Sequence, residues 1–185
     1  MPGLAHKQAV VSLLLWCFSC LISADQTDQR LESLFEQLRS AKDSAVAQQI
    51  ESRIWQIWFE APDANAQLLV SQIDQAVAAR RLQIGLQLAD QLVDSNPDYA
   101  EAWNKRATIN YLMGDNDQSV ADIRKTLELE PRHFGAISGL GLIFIRQGNI
   151  RAAQDAFEQV LNISPSSASA LRNIERLKQE SGREI

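Results

Sequence analysis

Cysteine is almost missing from this chain. Its two cysteines, Cys17 and Cys20, and one of its two histidines, His6, fall within the first 24 residues. Beyond them the chain has a single histidine, His133, and no cysteine. Structural zinc sites draw on clustered Cys and His, so that chemistry has no ligand set here. A disulfide framework is excluded for the same reason. The nearest thing to a calcium loop, Asp115-Asn116-Asp117, lacks the later Gly and the distant Glu in register. It reads as a polar turn with helix-capping acids. No metal and no cofactor are expected.

Catalytic signatures are equally sparse. Residues 135–139 read GAISG, with a serine but not in G-x-S-x-G order, and no strand pattern precedes them. The pair Gly139 and Gly141 fails as a dinucleotide fingerprint on the same ground, and there is no P-loop. Glu128 and Glu130 sit at the end of an exposed helical pattern, where carboxylates are ordinary. With no sheet and no apolar pocket signal, the inventory predicts a protein that is not an enzyme.

Long hydrophobic runs are absent except one. Residues 9–22 read AVVSLLLWCFSCLI, preceded by Lys7 and followed by Ser23 and Ala24. This pattern predicts a signal peptide over residues 1–24, cleaved before Asp25, and hence an exported, periplasmic protein without stable membrane insertion after cleavage. The run falls short of the roughly 20 residues that span a bilayer; the alternative is a membrane anchor by an uncleaved N-terminal segment. A lipoprotein fits less well, because Phe18 before Cys20 suits the peptidase badly. The whole chain carries a net charge of −5, and loss of Lys7 makes it one unit more negative. An acidic balance argues against nucleic acid and anionic membranes as partners.

Proline is scarce but regularly placed. Of five prolines, Pro97, Pro131 and Pro165 are spaced 34 residues apart. Gly114 and Gly148 keep the same step. So do the large apolar residues Leu69, Trp103, Ile137 and Leu171, and the smaller Ile73, Ala107 and Gly141. Gly85, Ser119 and Ala153 follow it as well, and Ala89, Ile123 and Phe157 fill one more apolar register. Within one period, two helical patterns meet at a glycine suited to a left-handed helix end, and a proline follows the second helix. Small residues at Ala107 and Ser119 allow two antiparallel helices to approach closely, with Trp103 and Ile123 filling the space on either side. A 34-residue period of this kind resembles the tetratricopeptide repeat (TPR). The resemblance implies an all-α fold, a right-handed TPR superhelix of antiparallel helix pairs.

The rest of the chain is ordered around residues 100–133, the second and best-formed repeat. Residues 66–99 form a degenerate first repeat, with Arg80 where the later repeats have glycine. Residues 134–167 form the third. Residues 25–65 predict a helical hairpin, with Asp43 as the N-cap of its second helix. It is read as the N-terminal cap of the solenoid, since stacked repeats need end units that bury one face and solvate the other. Trp55 and Trp58 are read as its core anchors, a ligand cage being the alternative. Residues 168–185 supply a capping helix and a short tail, with Leu171, Ile174 and Leu177 turned to the third repeat and Arg172, Arg176 and Lys178 to water. Six or seven antiparallel helices are expected, with Trp103 in the core.

The resemblance also implies a concave groove lined by the first helix of each repeat. Its inward positions fall on Gln67, Val70, Ser71, Asp74 and Val77, then Glu101, Asn104, Lys105, Thr108 and Tyr111, then Gly135, Ser138, Leu142, Ile145 and Arg146. Of these, Asp74, Val77, Asn104, Lys105, Thr108, Tyr111, Ser138, Leu142, Ile145 and Arg146 are the candidate ligand-groove residues. Asn104 and Lys105 are expected to be exposed, which favours an acidic or carboxylate-ended ligand. The carboxylate-clamp TPRs place Lys and Asn in successive repeats; here Ser71 and Gly139 occupy the slots corresponding to Lys105, so that function does not transfer.

Residues 103–108 (WNKRAT) and 129–136 (LEPRHFGA) resemble a group of small exported TPR proteins of Gram-negative bacteria, as do residues 31–38 and 182–185. That likeness points to Arg106, Arg132 and His133 as a polar cluster around the second repeat, with His133 able to cap the following helix. The expected partner is a protein or peptide bound in the groove by a periplasmic adaptor. The alternative is a structural subunit docked in a cell-envelope complex through its outer helix faces. The sequence leaves the oligomeric state open.

Overall fold

The computed structural model describes residues 26–181. The expected signal peptide, residues 1–24, and the tail 182–185 lie outside the described residues. Among those described there are nine helices and no strand: α1 (Arg30–Ser40), α2 (Ser44–Trp58), α3 (Ala64–Ala78), α4 (Leu82–Ser95), α5 (Ala100–Met113), α6 (Asn116–Leu129), α7 (Phe134–Arg146), α8 (Ile150–Ile163) and α9 (Ala168–Ser181). This exceeds the six or seven expected, because the hairpin α1–α2 and the last helix α9 add to the six helices of the three repeats. None is long and apolar enough to cross a membrane.

The repeat is visible in the backbone hydrogen bonds. Each α-to-α turn within a repeat closes by the same bond, from Arg81, Asp115 and Asn149 N–H to the carbonyls of Ala76, Asn110 and Phe144. That closure needs a left-handed residue just before the donor. Gly114 (φ 89°) and Gly148 (φ 72°) supply it at little cost, and Arg80 is forced to the same region (φ 56°). Arg80→Gly is therefore expected to stabilise the fold by about 1 kcal/mol, read as a higher urea midpoint; an unchanged or lower midpoint would contradict the strain at this turn.

Helix starts are capped by side chains where the sequence offers them. The carboxylates of Asp43, Asp63 and Asp115 accept from backbone N–H groups of α2, α3 and α6, and Asn149 does so for α8. Each A helix (α3, α5, α7) packs on its own B helix (α4, α6, α8), and successive A helices lie side by side as an inner layer. Leu69, Ile73, Ala89, Leu92 and Ile109 form the core of the first repeats. Ala107, Ile123, Ala136 and Ile143 form that of the second and third.

The N-terminal hairpin departs from expectation. It does not stack on the first repeat as an end cap. Leu31, Phe35, Ile54 and Trp58 share one core with Phe134 and Ile137 of α7, Phe157 of α8 and Leu177 of α9. The hairpin lies along the edge made by the three successive B-to-A turns. Tyr99, His133 and Ser167, one 34-residue step apart, are buried in those turns. Tyr99 Oη donates to the Trp58 carbonyl at 2.6 Å, and the His133 ring stacks on Trp58 at 4.2 Å. Arg132 pairs with Glu32 at 2.9 Å and lies over Phe35. Ser164 donates to Glu51 at 2.8 Å and Ser166 to the Ala41 carbonyl at 2.7 Å. At the open end of the hairpin, Arg30 bridges Asp28 and Glu60. Its guanidinium, hydrogen-bonded to the buried Asp28, holds that carboxyl below the usual range.

Two further expectations are corrected. Trp103 is only half-buried: it packs at the margin of the first core and donates Nε1–H to the Pro97 carbonyl at 2.9 Å, with Arg106 over its ring. Leu171 is exposed, and Ala170 takes the buried place beside Ile174 and Leu177. In the first and third repeats this register, Leu69 and Ile137, shares a core with the repeat's own B helix, and α9 has none among the described residues.

Candidate functional site

Two adjoining clefts open on the inner layer. The outer one, about 260 Å³, lies between α5 and α7, with Thr108, Tyr111, Leu112, Ser138 and Leu142 among its walls. The inner one, about 150 Å³, lies between α2, α3 and α5 and includes Trp55, Phe59, Asp74, Val77 and Lys105. Asn104 and Thr108 line both, so the two form one continuous depression.

The small residues of α7 set its depth. At Gly135 an added Cβ would stand 2.5 Å from the Trp55 ring, and at Gly139 3.3 Å from Ile123. The hairpin can bring Trp55 against α7 only because Gly135 has no side chain. Trp55 in turn stacks on Phe59, and this aromatic pair walls the inner cleft. The groove is therefore completed by the N-terminal hairpin, which sequence reasoning did not assign to it. Phe59 and Leu112 were likewise missed. Both follow directly on expected positions (Trp58 and Tyr111), but the pattern of one helix alone does not say which neighbour covers it.

The electrostatics differ most from expectation at Lys105. Its side chain is buried, only 9% exposed, with Nζ 2.6 Å from Asp74 Oδ1 and 3.8 Å from Glu101 Oε1. The ammonium also lies over the Phe59 ring at 4.9 Å. Glu101 is buried too, accepting from Asn104 Nδ2 at 2.8 Å and lying 3.2 Å from His133 Nε2. His133 Nδ1 accepts from the Ala136 N–H at 3.1 Å, so this ring caps α7, and its proton sits on Nε2, facing Glu101. Lys105 and Glu101 are thus parts of a buried polar knot, not groove groups free to meet a ligand. Asn104 is half-buried for the same reason.

Other candidates separate. Asp74, Val77, Thr108, Tyr111, Ser138 and Leu142 line the depression. Val70 is buried in the first core. Gln67 accepts from the Ala61 N–H outside the clefts, and Ser71 lines neither. Ile145 packs against the hairpin–α7–α8 core and lines neither cleft. Arg146 lies over the Tyr111 ring at 3.7 Å, donating to the Tyr111 carbonyl and to Asn116, so it ties the third repeat to the second. The polar cluster is also divided. Arg106 joins α5 to Asp122 of α6 and Asp90 of α4, and the Asp122 bond raises its pKa. Arg132 and His133 face the hairpin instead. Among the described residues no group of three or more His, Cys, Asp or Glu is placed to hold a metal ion.

Comparison with known proteins agrees with this architecture. Sequence models of the tetratricopeptide repeat match residues 71–133 and 136–167. A TPR repeat-containing protein of Rhizobium etli is 37% identical over 152 residues, covering 82% of this chain and 74% of that protein. The bovine DnaJ homolog subfamily C member 3 is 35% identical over 86 residues, which cover 43% of this chain and 17% of that protein. Among solved structures, the Sgt2 TPR domain from Aspergillus fumigatus superposes with a TM-score of 0.61 at 20% identity, covering 67% of this chain and 83% of that one. The first TPR of Spaghetti, bound to an HSP90 peptide, gives 0.59 at 15% identity, covering 64% and 94%. MamA gives 0.58 at 16% identity, covering 83% and 82%. By its repeat, its fold and these matches, the chain belongs to the tetratricopeptide-repeat family.

Proposed function

We propose that this protein is a non-enzymatic interaction module that takes an extended segment of a partner protein in the depression between α2, α3, α5 and α7. The observation that carries the reading is the outer cleft. Leu112 and Leu142 stand 46% and 36% exposed on its two walls, beside Tyr111 and the hydroxyls of Thr108 and Ser138. Apolar anchor pockets flanked by hydrogen-bonding groups suit an extended peptide. A structural neighbour that carries an HSP90 peptide supports this use of the fold.

Lys105 is a poor test residue, because its loss disturbs the buried knot. Leu142→Ser with Thr108→Tyr removes one apolar wall and fills the cleft at exposed positions. This double variant should keep its helicity and melting temperature while capturing a partner about tenfold more weakly, the effect of about 1.4 kcal/mol. Equal capture by the folded variant would move the binding site elsewhere. The second reading, a subunit docked permanently by its outer faces, draws on Ile84, 48% exposed on the outer-layer helix α4.

The setting belongs to the proposal as well. The apolar run at residues 9–22, followed by Ser23 and Ala24, supports export to the periplasm. The mass of the protein recovered from cells should correspond to a chain beginning at Asp25; a membrane-bound chain starting at Met1 would contradict it.

A further inference from the structure

The depression is polarised in its hydrogen bonding. Thr108 Oγ donates to the Asn104 carbonyl at 2.9 Å, and Ser138 Oγ to the Phe134 carbonyl at 2.8 Å. Each hydroxyl has one proton, so both are left as acceptors toward the cleft. The orientation of the Asn104 amide is fixed by Glu101, because a carboxylate accepts and cannot donate. One amide hydrogen is spent there, and Asn104 keeps Oδ1 as an acceptor beside its second amide hydrogen.

Charge runs the same way. The outer cleft is lined by no charged side chain. The inner one is lined by two carboxylates, Asp74 and Glu101, and one ammonium, Lys105. That ammonium is already held between the two carboxylates, whereas the Asp74 side chain remains 61% exposed. Beside it stands the stacked Trp55–Phe59 pair, with Phe59 40% exposed and the Lys105 ammonium over its ring at 4.9 Å. Aromatic faces attract guanidinium and ammonium groups. The Phe59 ring already serves Lys105 in this way, so the group open to a second cation is the Asp74 carboxylate. The chain's net negative charge favours approach of a cationic partner.

We infer that the depression selects a segment carrying a lysine or arginine beside an apolar side chain, and discriminates against acidic or carboxylate-ended segments. This rests on the cleft reading above. The cation sits at the exposed Asp74 carboxylate, and the apolar side chain sits between Leu112 and Leu142. The backbone N–H groups of the segment meet Asn104 Oδ1 and the two hydroxyl oxygens. The ligand preference is thus the reverse of the one Lys105 suggests from sequence.

The test uses a positional-scanning library of short peptides, N-acetylated and C-amidated so that their termini are uncharged. They are selected on the protein carrying all nine helices. Retained peptides should be enriched in Lys or Arg together with Leu, Ile or Phe, and their binding should weaken with salt. Asp74→Asn should lower the preference for Lys and Arg over neutral residues about fivefold, the scale of an exposed ion pair, while the apolar preference stays. Leu142→Ser should do the converse. Enrichment in Asp or Glu, or an unchanged Lys/Arg preference in folded Asp74→Asn, would overturn the charge assignment and leave the cleft reading standing. Retention of no peptide, or equal retention by folded Leu142→Ser, would overturn the cleft reading and the inference with it.

Discussion

Trp58→Ala is expected to cost about 3–5 kcal/mol, the usual range for deleting a buried Trp. Trp58 is 1% exposed at the junction of the hairpin with the solenoid. It stacks on His133 within 8° of parallel, meets Trp55 edge-on at 5.3 Å and packs against Phe35 and Phe134. Truncation would empty a site bounded by α1, α2 and α7 and loosen the edge on which the hairpin lies. Trp58→Phe is the informative companion. It keeps a stacking ring and removes Nε1, which is buried without a hydrogen-bond partner. That change should cost less than Trp58→Ala, because most of the ring volume is kept and an unsatisfied buried donor is removed. Urea unfolding of both variants checks the pair. If Trp58→Ala shifted the midpoint no more than an exposed variant, the hairpin would be an appendage and not part of the core. Trp103→Ala should cost less than Trp58→Ala, because Trp103 keeps much of its ring in water.

The second large effect belongs to Lys105. Lys105→Ala leaves Glu101 buried with no cation, served only by Asn104 and His133. Removing one partner of a buried ion pair costs about 3–5 kcal/mol. Asp74, exposed to solvent, rehydrates and adds little to the loss. Asp74→Ala is accordingly expected to cost about 1 kcal/mol or less, as exposed ion-pair partners do. The two variants thus measure the two ends of one bridge. Comparable losses would show that the Lys105 side chain is not held in a buried knot.

These effects mark where the chain was legible from sequence. The 34-residue ladder gives the repeat, its turns and the antiparallel pairing, because each feature is set by residues within one hairpin. Asp43 as a cap and the left-handed glycines are equally local. His133 could be suspected as a cap from its place before α7. The packing of the hairpin on the B-to-A edge is not local. It depends on Trp55 and Trp58 meeting His133 and Gly135, far along the chain, and an amphipathic hairpin carries no mark of which surface covers it. The same long-range contact makes Lys105 buried. On its helix alone, Lys105 falls on the inward face of an acidic protein and reads as a ligand donor. Asp74, one repeat back, and Phe59, from the hairpin, close over it. Leu171 fails for the opposite reason: its register is apolar in every repeat, but among the described residues no B helix follows α9 to cover it.

The central claim is that the depression completed by the hairpin is where a partner binds. A photo-crosslinking residue placed in living cells at Leu142, on the cleft wall, and at Ile84, on the outer layer, tests it most directly. The Leu142 probe should join the protein to a discrete partner, the adduct should disappear when Thr108→Tyr fills the cleft, and Ile84 should give none. An adduct at Ile84 with none at Leu142 would contradict it and place the interaction on the outer helices.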